Sequence, residues 1–208
     1  MTQVTIDAEL GGGYLESEHA TDYALARAGA TMSIDRYGTD ELVVGQDRNG
    51  AQFQLYQAFM KFDTSVIPDS ATIDSAICRL SGRGTSQDVT PFVYDLLSGY
   101  DWGTLATTDW RTTAQLGALT LRASVASSAW SVTSFDLTNI SLPAAINKTG
   151  MTELILVSDR LIAATAPTQN EYDNIDGEGV AGGPQLIINY TEAAAGGVDP
   201  IGMMGLFG

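Results

Sequence analysis

Two tryptophans, Trp102 and Trp110, stand close together in a polar stretch, within Tyr100-Asp101-Trp102 and Thr107-Thr108-Asp109-Trp110. Indole planes stack on the apolar faces of pyranose rings, so the pair is a candidate carbohydrate platform; the same rings could instead cap or fill the end of a β-fold. Two acidic turns offer oxygen ligands to a cation, Asp173-Asn174-Ile175-Asp176-Gly177 and Asp47-Arg48-Asn49-Gly50. Asp173 and Asp176 are the candidate calcium ligands. Neither turn completes a calcium loop, because Tyr172 and Gly45 occupy the first ligand position and no Glu closes either one. Plain Asx turns at strand ends are the competing account. The cofactor expectation is therefore none, or a structural calcium.

Other chemistry is thinly represented. One histidine, His19, and one cysteine, Cys78, are present. They support neither a zinc site, nor a His-based triad, nor an internal disulfide. Cys78 sits among apolar neighbours and reads as a small core residue. Gly11-Gly12-Gly13 lacks the GK[ST] of a phosphate loop, and no G-x-S-x-G or H-E-x-x-H occurs. Carboxylates are plentiful, yet none are set apart at a spacing that would mark a glycosidase pair. The expectation is a non-enzymatic protein.

The formal net charge of −15 argues against a nucleic-acid backbone or an anionic membrane as partner. No stretch is long and apolar enough to span a bilayer. The opening MTQVTIDAEL lacks a basic region followed by a hydrophobic one, so a Sec-type leader is not expected. Without a leader the chain is made in a cytoplasm and leaves by another route, such as lysis. The sequons at Asn147 and Asn189 carry little weight in that setting.

The elements that must position these residues are short strands. Phe59–Leu80 holds two alternating runs on either side of Pro68-Asp69-Ser70, with Met60 and Phe62 on one face and Phe59, Lys61 and Asp63 on the other. Ile73, Ala76, Ile77, Cys78 and Leu80 form the second run. Further strands are expected at Val4–Leu10, within Arg36–Gly45 after a turn, and at Val89–Leu97, Leu119–Val125, Ser131–Leu137 (entered through Trp130), Leu154–Val157 and Pro184–Tyr190. Glu16–Ala30 reads as a short helix, or as a strand centred on Asp22–Ala28. Pro143–Asn147 reads as one helical turn, and Gln169–Gly183 as a long Asp/Asn/Gly loop. Many short strands separated by turn residues imply an all-β antiparallel β-sandwich, a jelly roll, with an extended N-terminal segment and an apolar C-terminal tail. The corresponding divisions are 1–19 as an arm or strand, 20–191 as the sandwich and 192–208 as linker and tail.

The order of several features resembles the DNRLRE-domain family, jelly-roll modules close to certain carbohydrate-binding modules. The resemblance is carried by Tyr37-Gly38-Thr39 with Leu42-Val43-Val44-Gly45, by Met60-Lys61-Phe62-Asp63 with Ile67-Pro68, and by Ala71-Thr72-Ile73 with Ala76 and Arg79-Leu80. Trp102 with Thr108-Asp109-Trp110, Phe135-Asp136-Leu137-Thr138 and Pro184-Gln185-Leu186 continue it, over roughly residues 20–191. Gly103 stands where the family often has Glu, and Asp159–Gly183 lacks its usual Ser-x-Glu. The resemblance implies the sandwich fold and, through modules attached to surface enzymes and adhesins, polysaccharide binding or a spacer role.

Beyond Thr191 the chain becomes TEAAAGGVDPIGMMGLFG, a Gly/Ala linker followed by Ile201, Met203, Met204, Leu206 and Phe207. Apolar residues on such a hinge are expected to dock on another subunit, where Met and Gly allow an adaptable contact. Two functions follow as expectations. The first is a structural assembly protein, a bacteriophage virion surface component (capsid decoration, fibre or tail module) whose partners are other virion proteins and copies of itself. The second is a carbohydrate-binding module using Trp102 and Trp110 on a polysaccharide or cell-surface glycan, outside the cell by a non-Sec route.

Overall fold

Strand β5 (Gln52–Asp63) is apolar on both faces, and the architecture follows from that. Its alternation sends Ala58, Met60 and Phe62 into one hydrophobic cluster and Phe53, Leu55 and Phe59 into another. A strand of this kind must be covered on both sides. The computed structural model describes residues 1–35, 41–83, 93–126, 134–139, 141–177 and 182–193. Tyr37-Gly38-Thr39, Trp130, the start of the strand expected at Val89 and the whole apolar tail lie outside these residues.

The described chain is an antiparallel β-sandwich. Its smaller sheet runs β1 (Thr2–Asp7), β12 (Gln185–Thr191), β6 (Thr72–Ser81) and β9 (Ser134–Thr138). The larger runs β11 (Glu171–Asp176), β4 (Glu41–Asn49), β5, β10 (Met151–Ser158), β7 (Val93–Ser98) and β8 (Thr120–Ala126). A hairpin of β2 (Gly13–His19) and β3 (Thr31–Asp35) joins the free edge of β5. On the other edge of β5, β4 pairs with Gln52–Tyr56 and β10 with Ala58–Asp63, so the sheet divides there. Between the sheets lie Met60, Phe62, Ala76, Cys78, Leu80, Tyr94, Leu96, Leu156, Leu186 and Ile188.

The outer face of the larger sheet carries the second apolar layer. It is covered by α1 (Tyr23–Arg27), by the loop that follows β7, and by α2 (Thr113–Leu116) and α3 (Asp159–Ile162). Asp22 caps α1, its Oδ1 accepting from Ala24 N at 2.8 Å and Leu25 N at 3.1 Å. Ser17 Oγ of β2 donates to Ala26 O at 2.5 Å and pins the helix to the sheet.

The two runs of Phe59–Leu80 are strands, as expected, and lie in opposite sheets: Pro68-Asp69-Ser70 crosses from one to the other, closed by Ala71 N to Pro68 O at 2.8 Å. Of the two accounts given for residues 1–19, arm or strand, the described structure has strand: β1 extends the smaller sheet along β12 and β2 pairs with β5. Glu16–Ala30 is strand as far as His19 and helix only over Tyr23–Arg27, with His19 Nδ1 accepting from Thr21 N and Asp22 N at the junction. Gln169–Gly183 is not one loop, since it contains β11. The polar alternation of β11 concealed its inward face, Glu171, Asp173 and Ile175.

Candidate functional site

One cleft gathers charged, aromatic and amide side chains at the end of the larger sheet. It encloses about 570 Å³. Lys61 of β5 and Glu153 of β10 are register partners, so both side chains rise from the same face. The segment after β7 brings Tyr100 and Asp101 against them, and Arg122 of β8 closes the far side. Arg122 is held rigidly, its Nε donating to Ser98 Oγ at 2.7 Å and an Nη to Ser141 O at 3.1 Å.

The tight turn Tyr100-Asp101-Trp102-Gly103 fixes the wall. Gly103 adopts φ +60° and its N–H donates to Asp101 Oδ1 at 3.2 Å, while its carbonyl accepts from Lys61 Nζ at 3.2 Å. Trp102 N donates to Glu153 Oε2 at 3.2 Å. Behind the wall, the Arg111 guanidinium lies 3.7 Å from the centre of the Tyr100 ring. Tyr100 Oη donates to Asp109 Oδ1 at 2.6 Å. Buried Asp109 also accepts from Ala106 N at 2.7 Å through Oδ2. The ring of Tyr100 is therefore preorganised in the cleft.

The electrostatics centre on Glu153. Burial pushes its carboxyl up to about 7, and the Asp101 carboxylate adds to this by charge and by a hydrogen bond. The Trp102 N–H and the Lys61 ammonium oppose the shift. Near neutral pH Glu153 thus exists in both forms, and the cleft offers donors and acceptors within one short span. Such a set suits a ligand that is itself rich in both, as polyols are.

The tryptophans lie elsewhere than an exposed platform would require. Trp102 and Trp110 are only 7% and 6% exposed and belong to the apolar layer over the larger sheet. Trp102 meets Phe59 edge-on with centroids 5.3 Å apart, and Trp110 Nε1 donates to Arg27 O at 2.9 Å. Of the two accounts weighed for these rings, packing is the one this geometry fits. Asp173 and Asp176 are not brought together either: on a strand, residues three apart face opposite ways. Asp173 is buried and accepts from Tyr94 Oη at 2.8 Å, whereas Asp176 pairs with Arg83 at 3.5 Å. Asp47-Arg48-Asn49-Gly50 leads into the β4–β5 hairpin, with Asn49 opposite Gln52 and Gly50 at φ +62°. Among the described residues no group of three or more His, Cys, Asp or Glu is arranged to hold a metal ion.

Lys61, Tyr100, Asp101, Arg122 and Glu153 were not singled out together by the sequence, since they come from four separate segments. The available signal was the Tyr100-Asp101-Trp102-Gly103 turn, whose indole drew attention away from its neighbours. Searches against protein-family models and curated proteins return no match for this chain.

Proposed function

We propose that this chain is a non-enzymatic β-sandwich binding module whose cleft takes a segment of a polyhydroxylated ligand, a glycan. The observation that carries this reading is the convergence of Tyr100, Asp101, Lys61, Arg122 and Glu153 on one preorganised cleft. Sugar hydroxyls donate to carboxylates and accept from ammonium and guanidinium groups, while an aromatic side chain packs on the C–H faces. The DNRLRE-type resemblance enters as part of this proposal, on the order of its motifs alone. A glycan-array screen followed by calorimetry on the best hit tests it. Asp101→Asn and Lys61→Met should each weaken binding about tenfold, the scale of a lost charge-assisted hydrogen bond. An array without hits, or affinity unchanged in both variants, overturns the reading.

A second reading is favoured by a different observation, the apolar run Ile201–Phe207 behind a Gly/Ala linker. In it the sandwich is a structural component of a larger particle, most simply a bacteriophage virion, and docks through that run on other virion proteins or copies of itself. The two readings are compatible, because a module on a particle surface can also hold a glycan. Light scattering on the full chain and on one ending at Thr191 tests assembly. A defined oligomer that falls to monomer on truncation supports it, and equal masses for the two chains reject it.

A further inference from the structure

The face of the larger sheet around Tyr56 is built independently of the cleft. Strand register places Glu16 of β2, Tyr56 of β5, Gly45 of β4 and Tyr172 of β11 in one row across the sheet. Antiparallel register partners point to the same side, so Tyr56, Glu16 and Tyr172 share this face. Two residues along β4, Asp47 stands opposite Gln54 on that face, and two along β2 stands Tyr14. The Tyr56 ring lies 6.2 Å from that of Tyr14 and 5.5 Å from that of Tyr172. Gly45 makes the second contact feasible. Its φ is +121°, and a Cβ there would come 2.3 Å from Glu171 O and 2.7 Å from Tyr172 Cα. Only glycine permits the approach of β11 that sets Tyr172 on Tyr56.

This aromatic row is paired with carboxylates. Asp47 is only 7% exposed, and its Oδ1 is buried without a hydrogen-bond partner among the described residues. A buried carboxylate oxygen left in this state is costly unless something complements it. Burial, then the negative charges of Glu16 and Asp47 on the same face, hold the Tyr56 phenol above its usual range. Gln54 Nε2 is committed to Glu16 Oε1 at 2.7 Å, and the nearest guanidinium on β4, Arg48, stacks on Phe53 at 4.2 Å. Neither is thus directed at Asp47.

We propose that the face formed by Tyr14, Tyr56 and Tyr172 with Asp47 and Glu16 binds an organic cation, an alkylammonium group. Ring faces carry the negative side of the aromatic quadrupole and attract ammonium groups, most strongly where carboxylates stand nearby and water is thinned. A divalent metal is a poorer fit, since no three acidic ligands converge among the described residues. The net charge of −15 concentrates cations at the surface. The alkylammonium could be a free quaternary amine or a lysine side chain of a partner protein.

The test is a ¹⁵N-resolved NMR titration of the full chain with choline, with its uncharged isostere 3,3-dimethylbutanol, and with a short trimethyllysine peptide. Saturable shifts centred on Tyr56 and Tyr172 are expected with choline, and binding of the isostere about tenfold weaker, the scale of a partly desolvated cation–π contact. Tyr172→Ala and Asp47→Asn should each weaken choline several-fold, whereas Tyr172→Phe, which keeps the ring, should not. Tighter binding of the peptide than of choline assigns the site to a protein partner, and the reverse to a free amine. Absence of saturable shifts, equal binding of the isostere, or choline affinity unaffected by both Tyr172→Ala and Asp47→Asn overturns the proposal. Because the cleft is separate, a failed glycan screen has no bearing on this result.

Discussion

Gln57 and Arg111 exchange two hydrogen bonds across the interface between β5 and the loop that carries the cleft wall. Gln57 Nε2 donates to Arg111 O at 2.7 Å, and Arg111 N donates to Gln57 Oε1 at 3.0 Å. The side-chain amide thus acts as a short strand for a loop that has no strand of its own. Arg111 continues the chain of contacts to Tyr100, through its 2.8 Å bond to the phenol oxygen and its stacking on the ring. Replacing Gln57 with Leu keeps the bulk and leaves both backbone groups of Arg111 unpaired, at a cost of about 2 kcal/mol. The expected outcome is a lower denaturation midpoint, together with weaker binding at the cleft. Thermal and urea melts with unchanged m-value check it.

The titration of Glu153 gives the cleft a pH signature. Its carboxyl is raised from an ordinary 4.5 to about 7 in the folded protein. In that window the folded chain binds more protons than the unfolded one, so the contribution of Glu153 to stability falls as pH rises from about 4.5 to about 7. Below the window the contribution is fully present. Glu153→Gln, which mimics the protonated form, should flatten this part of the stability profile. Melting temperatures of both proteins at half-unit pH steps measure it. A parallel slope in the variant assigns the dependence to other groups.

Truncating either tryptophan should be costly. Trp102 and Trp110 are almost wholly buried in the apolar layer that also holds Phe59, Leu105 and Leu116. Trp→Ala at a packed site typically loses about 3–5 kcal/mol through lost transfer energy and the cavity left behind. Lowered melting of both W102A and W110A is therefore expected. Unchanged melting with lost glycan binding would instead restore the platform account.

Legibility from sequence followed the physics of each segment. Apolar patterning marked β5, β6, β10 and β12, in β10 as the unbroken run Leu154–Val157, because each has at least one face that must leave water. The same rule failed on β11, Glu-Tyr-Asp-Asn-Ile-Asp, whose buried face is built from carboxylates. Glu171 is buried with its charge matched by Arg160 and its other oxygen accepting from Gln46 Nε2 at 2.8 Å, and Asp173 meets Tyr94. None of those partners is local in sequence, so a polar strand reads as a loop. The cleft was hidden for a similar reason: Lys61 and Glu153 become neighbours only through the β5–β10 register. The tryptophans were conspicuous by type, but type alone does not tell a platform from a core residue.

Arg160 and Glu171 also yield a prediction. Their side chains are 14% and 2% exposed, so the ion pair is largely out of water. Removing one partner of such a pair typically costs about 3–5 kcal/mol, because the other charge stays desolvated. Glu171→Ala should therefore destabilise the β4–β11 ladder. The loss should persist in molar salt, where a surface pair would be screened. Hydrogen exchange at Val43 and Ile175 locates the effect.

Cys78 offers a probe of global unfolding. The thiol is fully buried in β6, and burial pushes it up to about 12, with the Asp136 carboxylate adding to the shift. The thiolate is the reactive species, so the folded protein presents almost none at neutral pH and gives a reagent no path to it. Labelling by an aromatic disulfide should then proceed only through opening of the smaller sheet. Its rate should rise with urea in step with the unfolding equilibrium, and Gln57→Leu should accelerate it only as far as that variant lowers global stability. Rapid labelling in the absence of denaturant would mean that β6 and β9 part locally while the rest of the sandwich stays closed.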